Sequence, residues 1–190
     1  MSTPDTVTRL LDTADRLVRD RGYSAFSYKD LAESVGIRTA SIHYHFQAKA
    51  DLGQAVVDRY REQLVTDLAK IDDTAKSARE KLEYFIAAYR ETESRGTICL
   101  CGSLASDYET LPEKVQDSVR RYLAEAQKWL KRTLKEGAKN GEFELVGKPT
   151  DLAVGLLSAL QGGLVLSRAQ GGEENVLERV ERGFFANLSR

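Results

Sequence analysis

Apolar residues recur along most of this chain at the three-to-four spacing of an amphipathic helix. From Thr6 to Arg21, Val7, Leu10, Leu11, Ala14, Leu17 and Val18 trace one face. Thr3, Pro4 and Asp5 suit a helix start, and Gly22 suits its end. Tyr23 to Phe26 bridges to the next element, with Phe26 plugging a small core. Ser27 then reads as an N-cap with Asp30 as its capping-box partner. Leu31, Ala32 and Val35 share one face of that second helix, and Gly36 breaks it. Ile37 re-enters the core, and a third, short helix follows from Thr39 to Phe46. Ile42 and Phe46 are four apart and face inward together.

A long helix is predicted from Ala48 to Ala69, on the recurrence of Leu52, Val56, Tyr60 and Leu64. Asp72-Asp73-Thr74 reads as its break. The next runs from Thr74 to Ser94, with Ala78, Leu82, Phe85, Ile86 and Tyr89 as its stripe and Gly96 beyond its end. A short buried helix from Leu100 to Tyr108 is followed by a long one from Leu111-Pro112-Glu113 to Asn140. The loop from Asn140 to Pro149 carries a brief extended piece at Phe143 to Val146. Two helices close the chain, Thr150 to Ala169 and Glu173 to Leu188. The expected fold is all-α, with about nine helices and no sustained period-two alternation.

Two helices joined by a short turn containing Gly form a helix-turn-helix, whose second helix enters the DNA major groove. The residues there suit that role. Arg38, Thr39, Ser41, His43, Tyr44, His45 and Lys49 are long or polar, and Ala40 permits close approach. No acid lies between Arg38 and Lys49, as a surface facing a polyanion requires. Ser27 and Tyr28 open the preceding helix, where hydroxyl and backbone N–H groups can meet phosphate, and Lys29 lies beside them. His45 is equally open to a local capping or packing role.

The segment Y-K-D-L-A-E-S-V-G-I-R-T-A-S-I-H-Y-H-F-Q-A-K-A-D-L, Tyr28 to Leu52, resembles the DNA-binding segment of TetR-type repressors (TetR/AcrR-like). The matching pieces are Leu31-Ala32, Gly36-Ile37, Tyr44-x-Phe46, Lys49 and Leu52. The resemblance is specific over residues 5 to 60; beyond, it rests on length and helical layout. It implies that Tyr44 and Lys49 hold the DNA backbone, and that Arg38, Thr39, Ala40 and His43 read bases. It also implies a small-molecule pocket in the second domain, whose occupation releases DNA.

Composition narrows the alternatives. The 190 residues are 42% hydrophobic and 30% charged, an ordinary globular balance. The net charge of −1 gives no global case for nucleic acid, so the case is local. Cys99 and Cys101 are too few for a disulfide framework. The polar start and the lack of an uninterrupted apolar run long enough to span a bilayer lead to the expectation of a cytoplasmic protein. His43 and His45 diverge on a helix, as do Cys99 and Cys101, and neither pair has zinc-site spacing. No metal or cofactor is expected; a soft Cu(I) site at the C-x-C is the one alternative. No phosphate loop, paired-carboxylate motif or G-x-S-x-G is present, so no enzyme is expected.

Residues 1–47 are thus expected to form a three-helix DNA-binding domain, and residues 48–190 a helical ligand-sensing and dimerisation domain. Phe85, Tyr89, Cys99, Cys101, Tyr108, Tyr122, Trp129 and Gln161 combine bulk with polar tips, as pockets and cores both do. The cysteines, read at a helix start, could sense electrophiles or oxidants, or simply pack as small apolar groups. The penultimate helix is apolar nearly all round. With the last helix it supplies the expected dimer interface through Leu156, Ala159, Leu160, Gly163, Leu177, Val180 and Phe184, or else completes the monomer core. The function expected is a homodimeric repressor that leaves a palindromic operator when a small molecule or reactive species is sensed. The alternative is a helical module that binds DNA without sequence preference, or binds protein.

Overall fold

The computed structural model describes residues 5–172 and 175–188. Among them the chain forms nine α-helices and no strand. They are α1 (Thr6–Arg21), α2 (Tyr28–Val35), α3 (Thr39–His45), α4 (Lys49–Thr74), α5 (Ala78–Ser94), α6 (Leu100–Ser106), α7 (Glu113–Lys139), α8 (Pro149–Ala169) and α9 (Val176–Ala186). A 3₁₀ turn at Tyr108–Thr110 stands between α6 and α7. The all-helical expectation is met. Thr3 and Pro4, and the expected start of the last helix at Glu173, lie outside the described residues. Asp5 is the N-cap of α1 and accepts from the Val7 N–H at 2.8 Å.

Two compact units result. One comprises residues up to Glu62 together with Leu100–Tyr122; the other comprises Gln63–Cys99 and the residues from Leu123 onward. Helices α4 and α7 each contribute to both.

In the first unit, α1 packs on α2 and on α6, and α2 packs on α3. Leu10, Leu17, Leu31, Ile42, Leu52, Leu100 and Leu104 are almost wholly buried. Ser27 caps α2 in a full capping box with Asp30, and Gly36 closes that helix at φ +75°, a conformation that costs a side-chain-bearing residue. The Arg9 guanidinium reaches from α1 to the Val35 carbonyl and serves one of the last acceptors of α2.

The second unit is organised around α5, α8 and α9, which pack on one another. A Cβ on Gly163 of α8 would stand 2.5 Å from Leu177 Cδ2 of α9, so a glycine sets how closely this pair approaches. Leu156, Leu157, Leu160 and Leu164 turn into the core. By length and composition α8 would also suit a bilayer, which the sequence reading did not allow. Here the interrupting Gly and Ser residues leave its apolar character intact, and Leu156, Leu157, Leu160 and Leu164 are used within the protein.

Helix α4 runs through Asp72-Asp73 instead of breaking there. Acids near a helix C-terminus are unfavourable, and Asp72 is offset by cations. Its carboxylate accepts from Trp129 Nε1 at 3.1 Å and from the Arg132 guanidinium, and it lies 3.3 Å from the Lys81 ammonium. Lys81 is buried, which works against its charge. Glu136 at 2.9 Å and Asp72 outweigh that and hold its pKa above the ordinary lysine value. Helix α5 then starts at Ala78, under a Ser77 cap.

Residues 143–146 pair with no strand. Phe143 is buried, and the neighbouring Glu142 reaches the start of α5. Its carboxylate accepts from the Ala78 and Arg79 N–H groups, each at 3.0 Å. Burial works against this charge, but the two backbone donors win and the carboxyl sits below the usual glutamate range. A lowered folded pKa means stability that is present above the ordinary pKa and lost as pH falls through the folded value. Thermal melts should therefore show Glu142→Gln less stable than the parent at pH 7, with the gap closing toward pH 3.

Candidate nucleic-acid interface

Helix α3 has seven residues and two inward anchors. Ile42 is wholly buried and Phe46, its C-cap, nearly so. Arg38, Ala40, Ser41, His43, Tyr44 and His45 are exposed, and Thr39 is half-buried. Tyr44 is 85% exposed, far beyond what a core aromatic shows. Thr39 and His43, and Ala40 and Tyr44, stand at i, i+4 spacing, so the outward face is one continuous strip.

Tyr28 ties α2 to α3. Its hydroxyl donates to the Phe46 carbonyl at 3.0 Å. Burial, with Asp51 and Tyr23 adding to it, pushes its pKa up to about 12, so it remains a donor through neutral and moderately alkaline pH. Its ring meets the His43 ring edge-on at 4.9 Å. His43 Nδ1 lies 3.2 Å from the Gln47 carbonyl, which steadies the imidazole from the other side. Tyr44 and His45 make a second edge-on pair at 5.1 Å.

Two acids close to this surface, Asp51 and Asp30, are engaged. The Asp51 carboxylate accepts from Lys114 at 2.5 Å and from the Ala48 N–H at 2.9 Å, and both lower its pKa. Asp30 accepts from the Ser27 hydroxyl at 2.5 Å and from the Ser27 N–H at 2.7 Å, which hold it below the usual aspartate range.

The expected DNA-contact residues therefore separate. Arg38, Thr39, Ala40, Ser41, His43, Tyr44 and His45 share the α3 surface, and Lys29 is exposed on α2. Ser27 gives both of its donors to Asp30 and has none left for phosphate unless that cap opens. Tyr28 and Lys49 point their polar atoms at backbone carbonyls. Gln47, exposed in the turn after α3, was not singled out from sequence; its role as the His43 acceptor is visible only once the turn is folded.

The expected ligand residues also separate. Phe85, Tyr89, Trp129 and Gln161 come together in the second unit. Phe85 stacks on Trp129 at 5.5 Å and packs on Tyr89 at 5.5 Å, and Gln161 Nε2 donates to the Tyr89 hydroxyl at 3.3 Å. Cys101, Tyr108 and Tyr122 belong to the first unit. Tyr122 stacks on Tyr60 at 4.9 Å, and the Tyr108 hydroxyl accepts from Arg120. Cys99 and Cys101 are both buried, the setting of a packing residue more than of an accessible nucleophile. Among the described residues, no cluster of His, Cys, Asp and Glu could hold a metal ion.

Residues 10–56 match the family model for bacterial regulatory proteins of the tetR family. Residues 78–184 match the model for the tetracyclin repressor-like C-terminal domain. The chain belongs to the TetR family. It is similar to the HTH-type transcriptional repressor KstR2 of Mycolicibacterium smegmatis, at 31% identity over 136 residues. That match covers 70% of this chain and 65% of the repressor, so the chain spans just under two thirds of that relative. A TetR transcriptional regulator from Legionella pneumophila superposes with a TM-score of 0.90 at 34% identity, over 100% of both chains. A TetR-family regulator from Agrobacterium tumefaciens gives 0.91 at 28% identity, over 97% of each. This TetR-family chain is thus a transcriptional regulator with a DNA-binding helix-turn-helix in α2 and α3.

Removing the Tyr28 hydroxyl tests the tie between those two helices. Tyr28→Phe should lower stability by about 1 kcal/mol, the net worth of one hydrogen bond, in urea unfolding. It should weaken DNA binding equally on every duplex tried, since no base contact is touched.

Proposed function

We propose that this chain is a homodimeric repressor of transcription, released from a palindromic operator when its second domain binds a small molecule. The observation that carries the reading is the face of α3: exposed, free of acids and anchored by only two buried side chains. Arg38, Thr39, Ala40, Ser41 and His43 would read base edges. Tyr44, His45 and Lys29 would meet the backbone. Residues 1–47 act as the reader and 48–190 as the sensor and dimeriser. Phe85, Tyr89, Trp129 and Gln161 are the sensing residues that the fold gathers, and an aromatic or apolar molecule with one hydrogen-bonding group suits them. The site of action is the cytoplasm, with the DNA.

The dimer reading rests on α8. Leu156, Leu160, Gly163 and Leu177, expected at the interface, are buried within the protomer, with Gly163 of α8 set close against Leu177 of α9. Val180 and Phe184 are half-buried and Ala159 is exposed. The outward face of α8 is Val154, Gly155, Ser158, Ala159, Gly162, Val165 and Leu166, with the larger three 41%, 55% and 56% exposed. An apolar, small-residue helix face of this kind buries itself against a copy of itself with two-fold symmetry. Two copies would present two α3 helices to half-sites about 34–36 Å apart, or a multiple of that. Ligand favours a dimer state whose α3 spacing no longer fits.

Selection of duplexes from a random pool should return a palindrome. Recovery of unrelated sequences with binding that depends only on salt would favour the non-specific module instead. On the selected site, Arg38→Ala should cost ~1–3 kcal/mol and relax preference at one position of each half-site. In sedimentation, Val165→Glu combined with Leu166→Glu should give a folded monomer that has lost the palindrome. A dimer that persists would remove α8 from the interface.

A further inference from the structure

His43 stands on the exposed strip of α3, and its ring is held from two sides. The Tyr28 ring meets it edge-on at 4.9 Å, and Tyr28 is itself tied to the Phe46 carbonyl. On the other side Nδ1 faces the Gln47 carbonyl at 3.2 Å. A carbonyl oxygen only accepts, so the one N–H of a neutral imidazole belongs on Nδ1. Nε2 then carries a lone pair and no proton. Among the described residues no hydrogen bond reaches it. The fold thus chooses the tautomer before DNA arrives. Arg38, on the same surface, can only donate, whereas His43 offers an acceptor.

That polarity sorts the groups DNA can present. In the major groove adenine N6 and cytosine N4 donate, whereas guanine O6 and N7 and thymine O4 accept. Phosphate oxygens accept too and are negatively charged, so a bare Nε2 meets them unfavourably. We propose that neutral His43 is a specificity-determining residue: its Nε2 accepts from the exocyclic amine of an adenine or cytosine in each half-site and disfavours guanine and thymine at that place. The proposal rests on the reading of α3 as the base-reading helix of a sequence-specific regulator, and it names the chemistry that one residue of that helix recognises.

The test uses the full chain at about pH 8, where imidazole is ordinarily neutral. Selection from a random duplex pool with the parent supplies the site. Each adenine of a half-site is then replaced in turn by purine, and each cytosine by 2-pyrimidinone, which deletes the amine alone. The 7-deaza forms of guanine and adenine delete the N7 acceptor instead. Dissociation constants are measured for the parent and for His43→Phe, which keeps a ring against Tyr28 but has no nitrogen in it. Loss common to both proteins reports the weakened base pair. The expected result is one amine per half-site whose deletion costs the parent about fivefold more than it costs His43→Phe, the scale of one hydrogen bond. A second selection with His43→Lys, which donates and cannot accept, should exchange adenine or cytosine at that position for guanine or thymine. Coupling of His43 to an N7 acceptor, or to no base, would overturn the proposal and leave the sequence-specific reading standing. So would an equal loss by His43→Phe on every duplex with a salt slope shallower by about 0.9 per contact, the mark of a protonated His43 on phosphate. A selection that yields no consensus would remove the sequence-specific reading and the proposal with it. Should His43→Phe not fold, His43→Ala replaces it in the same comparison.

Discussion

A helix of seven residues cannot hold itself together. Isolated helices shorter than about 12–15 residues are marginal in water, because nucleation fixes several dihedral angles for each early hydrogen bond. Helix α3 therefore borrows its shape. Ile42 and Phe46 sink its inner edge into the core, and Tyr28 holds the carbonyl where it ends. The partners are themselves pinned: α2 by its capping box and by Arg9 at its far end. Borrowed rigidity leaves the outer face unencumbered. Nearly every side chain on α3 that does not anchor it is exposed, so the surface can be given over to recognition.

The electrostatics follow the same economy. A chain of net charge −1 meets a polyanion only if its cations and carboxylates are sorted locally. Part of that sorting lies in the sequence, as the acid-free stretch from Arg38 to Lys49. The rest is conformational. Asp51 is turned to Lys114, and Asp30 is folded back as a cap. The same folding draws some donors inward: those of Ser27 go to Asp30, and two of the three on Lys49 go to the Tyr23 and Phe26 carbonyls.

How far the structure could be read in advance depended on the range of the interactions involved. The three N-terminal helices were legible because their punctuation is local: Gly22, Ser27 with Asp30, and Gly36 act within one turn of the backbone. The end of α4 was not, because Asp72 is stabilised by Trp129 and Arg132, almost sixty residues away along the chain. Lys49 had the right type and position for a phosphate contact, and nothing in its neighbours reveals that acceptors wait at Tyr23 and Phe26. Helix α8 posed a different difficulty. It is apolar nearly all round, so periodicity cannot say which leucines meet α9 and which residues face outward. The close approach of Gly163 and Leu177 decides that, and it exists only in three dimensions.

The first unit is discontinuous in sequence. Its core includes Leu100, Leu104, Val115 and Val119, supplied after nearly forty residues of the second unit have intervened. On the ribosome, then, α3 emerges long before the core it leans on is complete. Synthesis must pass Tyr122 before the DNA-reading surface can take its final form. A nascent or truncated chain would carry the recognition sequence without the means to hold it in shape. Completion of the first unit is thereby postponed until the first stretch of the second, Gln63–Cys99, also exists.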